Sequence, residues 1–451
     1  MLVEFKVSNF ASFDELQNFS MLAGKVRNHN ERIYVKDRIK LLKFMAVYGA
    51  NASGKSNLVS AFEFAKSFIL GGNLNEAQNM YCKLDDSNKS KKSHFEFTIL
   101  IDDKRYTYGF EIVLSSQSLQ KEWLYELTYG KNYKVIFDRN IVTGEHTVNS
   151  YFKNNAINER LSIYADDIKN DDTILFLHIM NLNKDTLYES SPILSIYRQV
   201  YDWFKYDLSV NFSDSPVTNY SHLLDSEGID DISKLLATFG TGITKFDLVE
   251  ISMDKVTANV PKEVIKKVFE SLNEQKKQFD IEGIEGPPAI MLRNSRDDSM
   301  FIIKQVDNEF IALTFQFCHE NTNALFSLNE ESDGTIRLLD LIEILLSTDN
   351  GTVYIIDEIN RRFHPQLTEK FVKEYLKLAE KRNIQLIVTT HESKIMDLNL
   401  LRKDEIGFVD KNEYGKSSFF SLDTFGERFD KRVCQAYFNG DYGAIPRFKN
   451  N

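Results

Sequence analysis

The sequence predicts an α/β fold, and three apolar runs that end in polar residues support this prediction. The first run, Phe44–Tyr48, leads through a glycine-rich turn into a helical pattern. The second run, Val353–Ile356, ends in two carboxylates, and the third, Ile384–Thr389, is followed by threonine and histidine. Short apolar runs bounded by turns and helical patterns are typical of buried strands in α/β proteins. We therefore expect polar groups from both ends of the chain to meet at a sheet edge.

The turn after the first run carries a complete phosphate-loop pattern, Gly49-x-x-x-x-Gly54-Lys55-Ser56. Its glycines let backbone N–H groups approach phosphate oxygens, and a helix predicted over 55–70 adds N–H donors at its N-terminus. We expect Lys55 to contact the β- and γ-phosphates of ATP, and the Ser56 hydroxyl to bind Mg²⁺. A glycine-rich turn without a ligand is the alternative, but the flanking strand and helix favour nucleotide binding. The predicted phosphate-binding residues are Gly49, Asn51, Ala52, Ser53, Gly54, Lys55, Ser56 and Asn57.

The two carboxylates after the second run complete a hydrolytic site in this prediction. Asp357 is expected to support Mg²⁺, directly or through water. Glu358 faces the opposite way along an extended chain, so we expect it to act as a general base or to orient the attacking water. A plain strand end explains the same string equally well when it is taken alone. Its occurrence together with the phosphate loop favours catalysis.

The histidine after the third run, His391, is the third predicted catalytic residue beside Lys55 and Glu358. An imidazole at a strand end can hydrogen-bond a γ-phosphate and sense its presence. The alternative is a histidine that caps the following helix. The order of the motifs along the chain favours the sensing role.

A further helix N-terminus lies at Glu331–Thr335, upstream of the second run. Ser332 is a good N-cap residue, and Ser332 and Gly334 together form a potential anion site. The stretch resembles the signature motif of ABC-type ATPases, Leu-Ser-Gly-Gly-Gln, although its other three positions depart from that pattern. The resemblance implies that Ser332 and Gly334 reach the ATP of a second copy of the chain. ATP would then join a head-to-tail homodimer, or a higher oligomer.

The order of elements predicts three parts. Residues 1–150 form the N-terminal part of a nucleotide head, with a strand pair, the phosphate loop and an antiparallel β flank. Residues 151–320 form an inserted, mostly helical lobe with a hairpin, and residues 321–451 complete the head. The separation of Ser56 from Ser332 is larger than a transporter subunit needs, which disfavours that class. A nucleotide head split by an inserted lobe resembles the RecF- and SMC-like branch of ABC-type P-loop ATPases.

Four stretches spread over the chain carry a closer resemblance. They are Tyr106–Phe110 with Glu122–Tyr125, Glu330–Thr335 with Arg337–Leu339, Asp357–Ile359 with His364 and Pro365, and Tyr437–Pro446. These stretches resemble the AAA/AbiL-type ATPases of bacterial abortive-infection and anti-phage operons such as RloA–RloB and PARIS. The resemblance implies an ATPase that acts as the sensor or regulatory subunit of a defence complex. It also implies a separately encoded effector, often a TOPRIM-like nuclease, and a phage-encoded trigger.

The net charge, the cysteines and the lengths of the apolar runs limit the classes of protein that fit this sequence. The net charge of −11 argues against a general nucleic-acid coat protein. The three cysteines have no ligand-like or disulfide-like spacing, and no apolar run is long enough to span a membrane, so we expect a cytoplasmic protein without membrane contact. About sixty residues follow His391, which is too few for a fused nuclease domain. A RecF-like repair ATPase that binds DNA directly is the competing interpretation.

Paired acidic residues are the remaining candidates for a second metal site. They are Asp102–Asp103, Asp166–Asp167, Asp171–Asp172 and Asp297–Asp298. Each pair lies in a predicted turn, so solvated loops explain them better than metal binding does.

Overall fold

The structure is a computed structural model. It describes residues 1–72, 77–128, 132–148, 150–213, 226–282, 286–294, 299–307, 309–347, 350–425 and 433–446.

The strands, in chain order, are β1 (Leu2–Ser8), β2 (Gln17–Ser20), β3 (Tyr34–Lys36), β4 (Ile39–Leu41), β5 (Phe44–Tyr48), β6 (Ser93–Ile101), β7 (Lys104–Val113), β8 (Ser118–Leu127), β9 (Tyr133–Asn140), β10 (Glu145–Thr147), β11 (Leu208–Asn211), β12 (Ile243–Ile251), β13 (Ala289–Arg293), β14 (Met300–Val306), β15 (Glu309–His319), β16 (Leu325–Ser327), β17 (Val353–Ile356), β18 (Gln385–Thr389), β19 (Ile406–Lys411) and β20 (Ser417–Ser421). The helices are α1 (Lys55–Ile69), α2 (Asn155–Asp167), α3 (Phe176–Asn181), α4 (Asp185–Ser190), α5 (Ser195–Asp202), α6 (Ser226–Thr238), α7 (Met253–Asn259), α8 (Lys262–Glu282), α9 (Asp333–Leu346), α10 (Pro365–Ala379) and α11 (Val433–Asn439).

A six-stranded sheet, in the order β11-β17-β18-β5-β19-β20, carries the nucleotide motifs. Its first five strands are parallel and β20 is antiparallel. All residues of β5, β17 and β18 are buried, which explains their near-continuous apolar sequences. Because the carboxyl ends of parallel strands meet at one edge, the phosphate loop after β5 and the polar residues after β17 and β18 share that edge.

An antiparallel sheet of seven strands, in the order β10-β9-β8-β7-β6-β1-β2, forms the β flank that the sequence predicts. Helix α1 packs against it through aromatic side chains. The ring of Phe62 lies 4.0 Å from that of Phe5, and Phe5 lies 4.5 Å from Phe97. Met45 and Val47 of β5 belong to the same core. The helix that begins at the phosphate loop is therefore fixed in a core that both sheets share.

Residues 151–213 pack on this antiparallel sheet. The buried carboxylate of Glu122 accepts the backbone N–H groups of Phe176 (2.7 Å) and Leu177 (3.0 Å) at the start of α3. The buried guanidinium of Arg139 donates to the carbonyls of Ile168 (2.9 Å) and Ile174 (2.7 Å). These hydrogen bonds from two buried charged side chains hold α3 and the segment that follows α2 to the sheet.

The contacts divide the chain into two compact units, Met1–Ser215 with Thr348–Arg361 and Thr368–Asn451, and Pro216–Ser347 with Arg362–Leu367. This division differs from the predicted boundaries at 150 and 320. Residues 151–213 join the first unit because of the Glu122 and Arg139 contacts, and because β11 adds to the parallel sheet beside β17.

The second unit is built on an antiparallel sheet in the order β12-β15-β14-β13, with β16 paired to β15. Helices α7 and α8 contribute Val256, Ile265 and Leu272 to a core with Phe301 and Ile303 of β14. The helical patterns expected in this part correspond to α6 and α8. Strand β12, in contrast, lies in a stretch that we expected to be helical, and it pairs with β15 along its whole length.

Several local predictions are confirmed. Strand β5 has the predicted bounds, and α1 ends one residue before the predicted end. Asp102 and Asp103 form the turn between β6 and β7, both with left-handed backbone, at φ of 46° and 65°. Strands β14 and β15 form the predicted hairpin, although Asn308 in its turn lies outside the described residues. The acidic pair Asp297–Asp298 also lies outside them. No helix in the described ranges is long and apolar enough to cross a membrane.

Candidate nucleotide-binding site

The phosphate loop is a tight wrap between β5 and α1. The N–H of Ser53 donates to the carbonyl of Ala50 (3.1 Å), and Ala52 and Gly54 adopt left-handed backbone at φ of 61° and 115°. A Cβ on Gly49 would lie 2.4 Å from the carbonyl oxygen of Val409 in β19. Glycine is therefore required at both ends of the loop, at Gly54 by backbone conformation and at Gly49 by the close approach of β19.

Two serines outside the loop, Ser12 and Ser417, brace it through hydrogen bonds. The Ser417 hydroxyl at the start of β20 donates to the carbonyl of Ser53, and it forms a second hydrogen bond with the Ser12 hydroxyl at 2.7 Å. Ser12 also accepts a hydrogen bond from the Asn57 amide in α1 (2.7 Å). A Cβ on Gly54 would lie 2.5 Å from Ser417 Oγ and 2.8 Å from Ser12 Oγ. The loop conformation thus depends on residues from two distant parts of the chain, Ser12 and Ser417.

We expect Gly54→Ala to destabilise the loop and to weaken ATP binding, whereas Gly351→Ala should cost stability alone. Both glycines have positive φ, 115° and 99°, so either alanine should lower the free energy of unfolding by about 1–2 kcal/mol. An alanine Cβ at Gly351 has open space around it, whereas one at Gly54 collides with the brace. Chemical denaturation and ATP titration of both variants measure the difference. Equal effects on ATP affinity would contradict a specific role of the brace.

Lys55 is almost fully buried and turns back on its own loop. Its ammonium group donates to the carbonyls of Gly49 (2.9 Å) and Ala50 (3.2 Å). Burial lowers the pKa of Lys55 from 10.5 to about 8, and the nearby carboxylates of Asp357 and Glu358 act in the opposite direction. The positive charge of Lys55 therefore lies near both carboxylates, where it would attract a negatively charged phosphate group.

Asp357 and Glu358 follow β17 in a fixed turn. The Asp357 carboxylate is buried and accepts the hydroxyl hydrogen of Thr389 through Oδ1 at 2.5 Å. Its backbone N–H donates to the carbonyl of Asn211 at the end of β11 (2.9 Å). Glu358 is partly exposed and has left-handed backbone at φ of 48°. Because the chain turns at this residue, the simple alternation of an extended strand that we expected does not apply to Glu358.

His391 is exposed at the end of β18 and interacts electrostatically with Lys55, Glu358 and Asp357. The pKa of His391 is lowered from its usual value, first because the imidazole is partly desolvated and second because of the Lys55 charge. The carboxylates of Glu358 and Asp357 act in the opposite direction. Its backbone N–H donates to the Asn360 amide oxygen (3.2 Å). The lowered pKa favours the neutral imidazole at pH 7, which can donate one hydrogen bond to a phosphate oxygen.

The residues present fit a Mg²⁺–nucleotide complex. Ser53 Oγ is buried, and within the described ranges it has no hydrogen-bond partner, which is the condition of a group that a phosphate oxygen would satisfy. The Ser56 side chain, at the second position of α1, is exposed, and the second oxygen of Asp357 is not engaged by Thr389. A hydroxyl and a carboxylate with bound water are ligands that Mg²⁺ prefers. In the described part of the chain, this site included, no group of three or more His, Cys, Asp or Glu side chains is placed to hold a metal ion, so Mg²⁺ here would need oxygen ligands from the nucleotide and water as well.

Ser332 and Gly334 lie in the second unit, at the start of α9. The Ser332 hydroxyl caps this helix by accepting the backbone N–H of Thr335 (3.1 Å). Glu331, immediately before the cap, is hydrogen-bonded to His319 (2.7 Å). Deeper in α9, both oxygens of Asp340 accept from Arg293, at 2.8 and 3.0 Å. Ser332 thus acts as a helix cap, which is the simplest role that the sequence indicates for it.

Four residues of this site have no place in the sequence analysis: Ser12, Asn211, Thr389 and Ser417. Thr389 could have been noticed, because it ends a predicted strand near His391 and carries a hydroxyl directly after three aliphatic residues. The other three belong to no local pattern. Asn211 and Ser417 lie on the edge strands β11 and β20, more than a hundred residues from the motif residues that they contact. Ser12 lies outside every strand and helix, 45 residues before its partner Asn57.

The arrangement defines a class of protein. A phosphate loop between a buried strand and a helix with a buried face, with an Asp-Glu pair and a histidine at the same edge of the parallel sheet, is typical of the P-loop ATPase-head fold. The chain belongs to the family described as "AAA domain, putative AbiEii toxin, Type IV TA system", whose model matches residues 44–397. The matched range contains every predicted site residue.

Solved structures similar to this chain are heads of SMC proteins. The Smc head bound to the C-winged helix domain of ScpA has a TM-score of 0.45 and 15% identity, over 93% of this chain and 97% of that chain. The Smc head with an extended coiled coil, bound to the C-terminal domain of ScpA from Pyrococcus furiosus, has a TM-score of 0.37 and 14% identity, over 93% and 96%. The SMC head domain from Thermotoga maritima has a TM-score of 0.33 and 13% identity, over 93% and 98%. Similarity at this level carries no assignment of function. Among proteins of curated function, none matches the sequence.

Proposed function

We propose that this chain binds ATP with Mg²⁺ at the phosphate loop and hydrolyses it to ADP and phosphate. The observation that carries the proposal is the electrostatic grouping of Lys55, Asp357, Glu358 and His391 around one sheet edge. The family assignment supports an ATPase. A structural turn alone has no need for a lysine buried among backbone carbonyls beside two carboxylates.

Each residue has a distinct task in this proposal. The loop N–H groups and the N-terminus of α1 bind the phosphates, and Lys55 leaves its loop carbonyls to contact the β- and γ-phosphates. Glu358 accepts a proton from the attacking water or orients it, and neutral His391 contacts the γ-phosphate. Ser56 and Asp357 would hold Mg²⁺, which when bound neutralises charge on the phosphates.

We further propose that two copies share their sites through Ser332 and Gly334. A carboxylate introduced by Ser332→Glu would stand against the partner's γ-phosphate and repel it. Mixing Ser332→Glu with Lys55→Ala chains should restore hydrolysis that neither variant has alone, because one mixed site then carries both intact motifs. Hydrolysis of the mixture is the measurement. The control is Ser252→Glu, because Ser252 is an exposed serine at the N-terminus of α7 in the same unit and makes no side-chain cap bond. Absence of rescue in proven mixed dimers would argue for sites within one chain.

We also propose a regulatory role for the ATPase. In this role the chain is the ATP-driven sensor subunit of a prokaryotic defence complex and acts with a separately encoded effector. ATP binding and hydrolysis supply a two-state element whose populations a bound protein can shift.

The purified chain should hydrolyse ATP and leave DNA and RNA intact with Mg²⁺ or Mn²⁺. Purification from its native operon should recover a second polypeptide whose toxicity depends on Lys55. Nuclease activity that co-purifies with this chain alone would overturn the role. The comparisons do not favour the RecF-like alternative with DNA as a direct ligand.

A further inference from the structure

Thr389 makes three hydrogen bonds to the three consecutive residues that follow β17. Its hydroxyl donates to the carboxylate of Asp357 (2.5 Å) and accepts the backbone N–H of Glu358 (2.8 Å). Its carbonyl accepts the backbone N–H of Ile359 (3.1 Å). The side chain is 1% exposed, so neither hydroxyl bond is shared with bulk water. One buried residue of β18 thus contacts a side chain and two backbone groups of the neighbouring strand end.

The turn that Thr389 contacts is strained. Glu358 has φ of 48°, a left-handed conformation that is sterically unfavourable for a residue with a Cβ. Such a conformation persists only when surrounding contacts determine it. The N–H groups on both sides of this strained unit, those of Glu358 and Ile359, are both held by Thr389. The direction in which the Glu358 side chain leaves the sheet edge therefore depends on Thr389.

The same hydroxyl sets the orientation of Asp357. Because Oδ1 is engaged by Thr389, the carboxylate plane is fixed, and Oδ2 is the oxygen available to a metal ion or its bound water. Partners that orient a carboxylate ligand in this way affect metal affinity and turnover by about 10- to 100-fold in known metal sites. Aliphatic side chains occupy the rest of β18 apart from its first residue, so this hydroxyl is the polar group of the strand that faces the turn.

We propose that Thr389 is a positioning residue that couples the two carboxylates of the site: it presents Oδ2 of Asp357 to the metal and sets the direction of Glu358 toward the attacking water. This inference rests on the proposed ATPase function. Thr389 itself touches neither nucleotide nor water, and it acts through Asp357 and Glu358.

The test compares Thr389→Val, which keeps the shape but removes the hydroxyl, with Thr389→Ser, which keeps the hydroxyl. Thr98→Val is the matched control, because Thr98 is a buried threonine whose hydroxyl bonds Thr107 (3.1 Å) in the antiparallel sheet of the same unit. Three quantities are measured for each variant: turnover at saturating ATP, the Mg²⁺ concentration that gives half-maximal binding of a fluorescent ATP analogue, and the melting temperature.

We expect Thr389→Val to lower turnover by about 10- to 100-fold and to raise the half-saturating Mg²⁺ concentration about 10-fold. Nucleotide affinity without Mg²⁺ should change by less than about 3-fold, since Lys55 and the loop are untouched. Thr389→Ser should restore both parameters, and Thr98→Val should lower the melting temperature without changing either.

Unchanged turnover and Mg²⁺ dependence in Thr389→Val would overturn the inference, and so would equal effects in Thr98→Val. If the wild-type chain binds the analogue but shows no hydrolysis, the proposed ATPase function fails, while the Mg²⁺ dependence of binding still decides the role of Thr389.

Discussion

Lys55→Ala is expected to weaken ATP binding by about 10- to 100-fold, because it removes a charge-assisted contact with the phosphates worth about 1.5–3 kcal/mol. Lys55 is the buried cation of the loop, and the loop carbonyls that it contacts without a ligand remain in place after the substitution. Titration with a fluorescent ATP analogue measures the affinity. Lys153→Ala, which removes one exposed positive charge from the same unit, is the control and should leave the affinity unchanged.

The pH dependence of binding provides an independent check on Lys55. Its pKa of about 8 in the free protein rises when a phosphate binds, so complex formation takes up a proton above pH 8. Wild-type affinity should therefore fall with increasing pH above about 8, by up to about tenfold per pH unit. Lys55→Ala should lose this dependence. A wild-type affinity that stays constant between pH 7 and 10 would remove Lys55 from phosphate binding.

Glu358→Gln is expected to retain ATP binding and to lower turnover by about 10²-fold or more, if the carboxylate takes the proton of the attacking water. Glutamine has nearly the same shape but cannot accept the proton. The N–H bond to Thr389 is a backbone contact, so the turn should survive the substitution. Phosphate release under saturating ATP measures turnover, and analogue binding verifies that the site is intact.

Glu380→Gln, at an exposed position after α10, is the matched control for this change and should hydrolyse ATP at the wild-type rate. Wild-type turnover in Glu358→Gln would exclude Glu358 as the base. Loss of binding together with turnover would instead indicate that the substitution damaged the turn, and the melting temperature would then fall as well.

The local part of the site was predictable from the sequence, because its elements are contiguous. The phosphate loop, the strand before it and the helix after it are encoded within 44–70, and periodicity identified all three. The Asp-Glu pair and His391 follow apolar runs for the same reason. The hairpin between β6 and β7 was likewise visible from its alternation and its Asp-Asp turn.

The parts that were not predictable depend on long-range packing. Strand β12 has apolar residues at three-residue steps (Ile243, Phe246 and Val249), which are compatible with a helix, as well as a partial alternation. Only its pairing with β15 selects the strand. Glu122 and Arg139 are charged residues that a sequence argument places on the surface, yet both are buried under α3 and the preceding turn. The turn conformation of Glu358 follows from Thr389, which no local pattern connects to it.

The parallel sheet also has a consequence for how the protein is synthesised. Strand β5 lies between β18 and β19, and Phe44 pairs with Leu386, about 340 residues later. A ribosome adding about 5–20 residues per second needs about 17–70 s to produce that partner. During this time the antiparallel sheet, whose last residue is 147, is able to fold against α1. Strand β5, in contrast, lacks both of its neighbours, β18 and β19, so its edges are unpaired. A nascent chain is thus unable to assemble the Asp-Glu pair and His391 around a nucleotide until β18 and the residues that follow it have been translated.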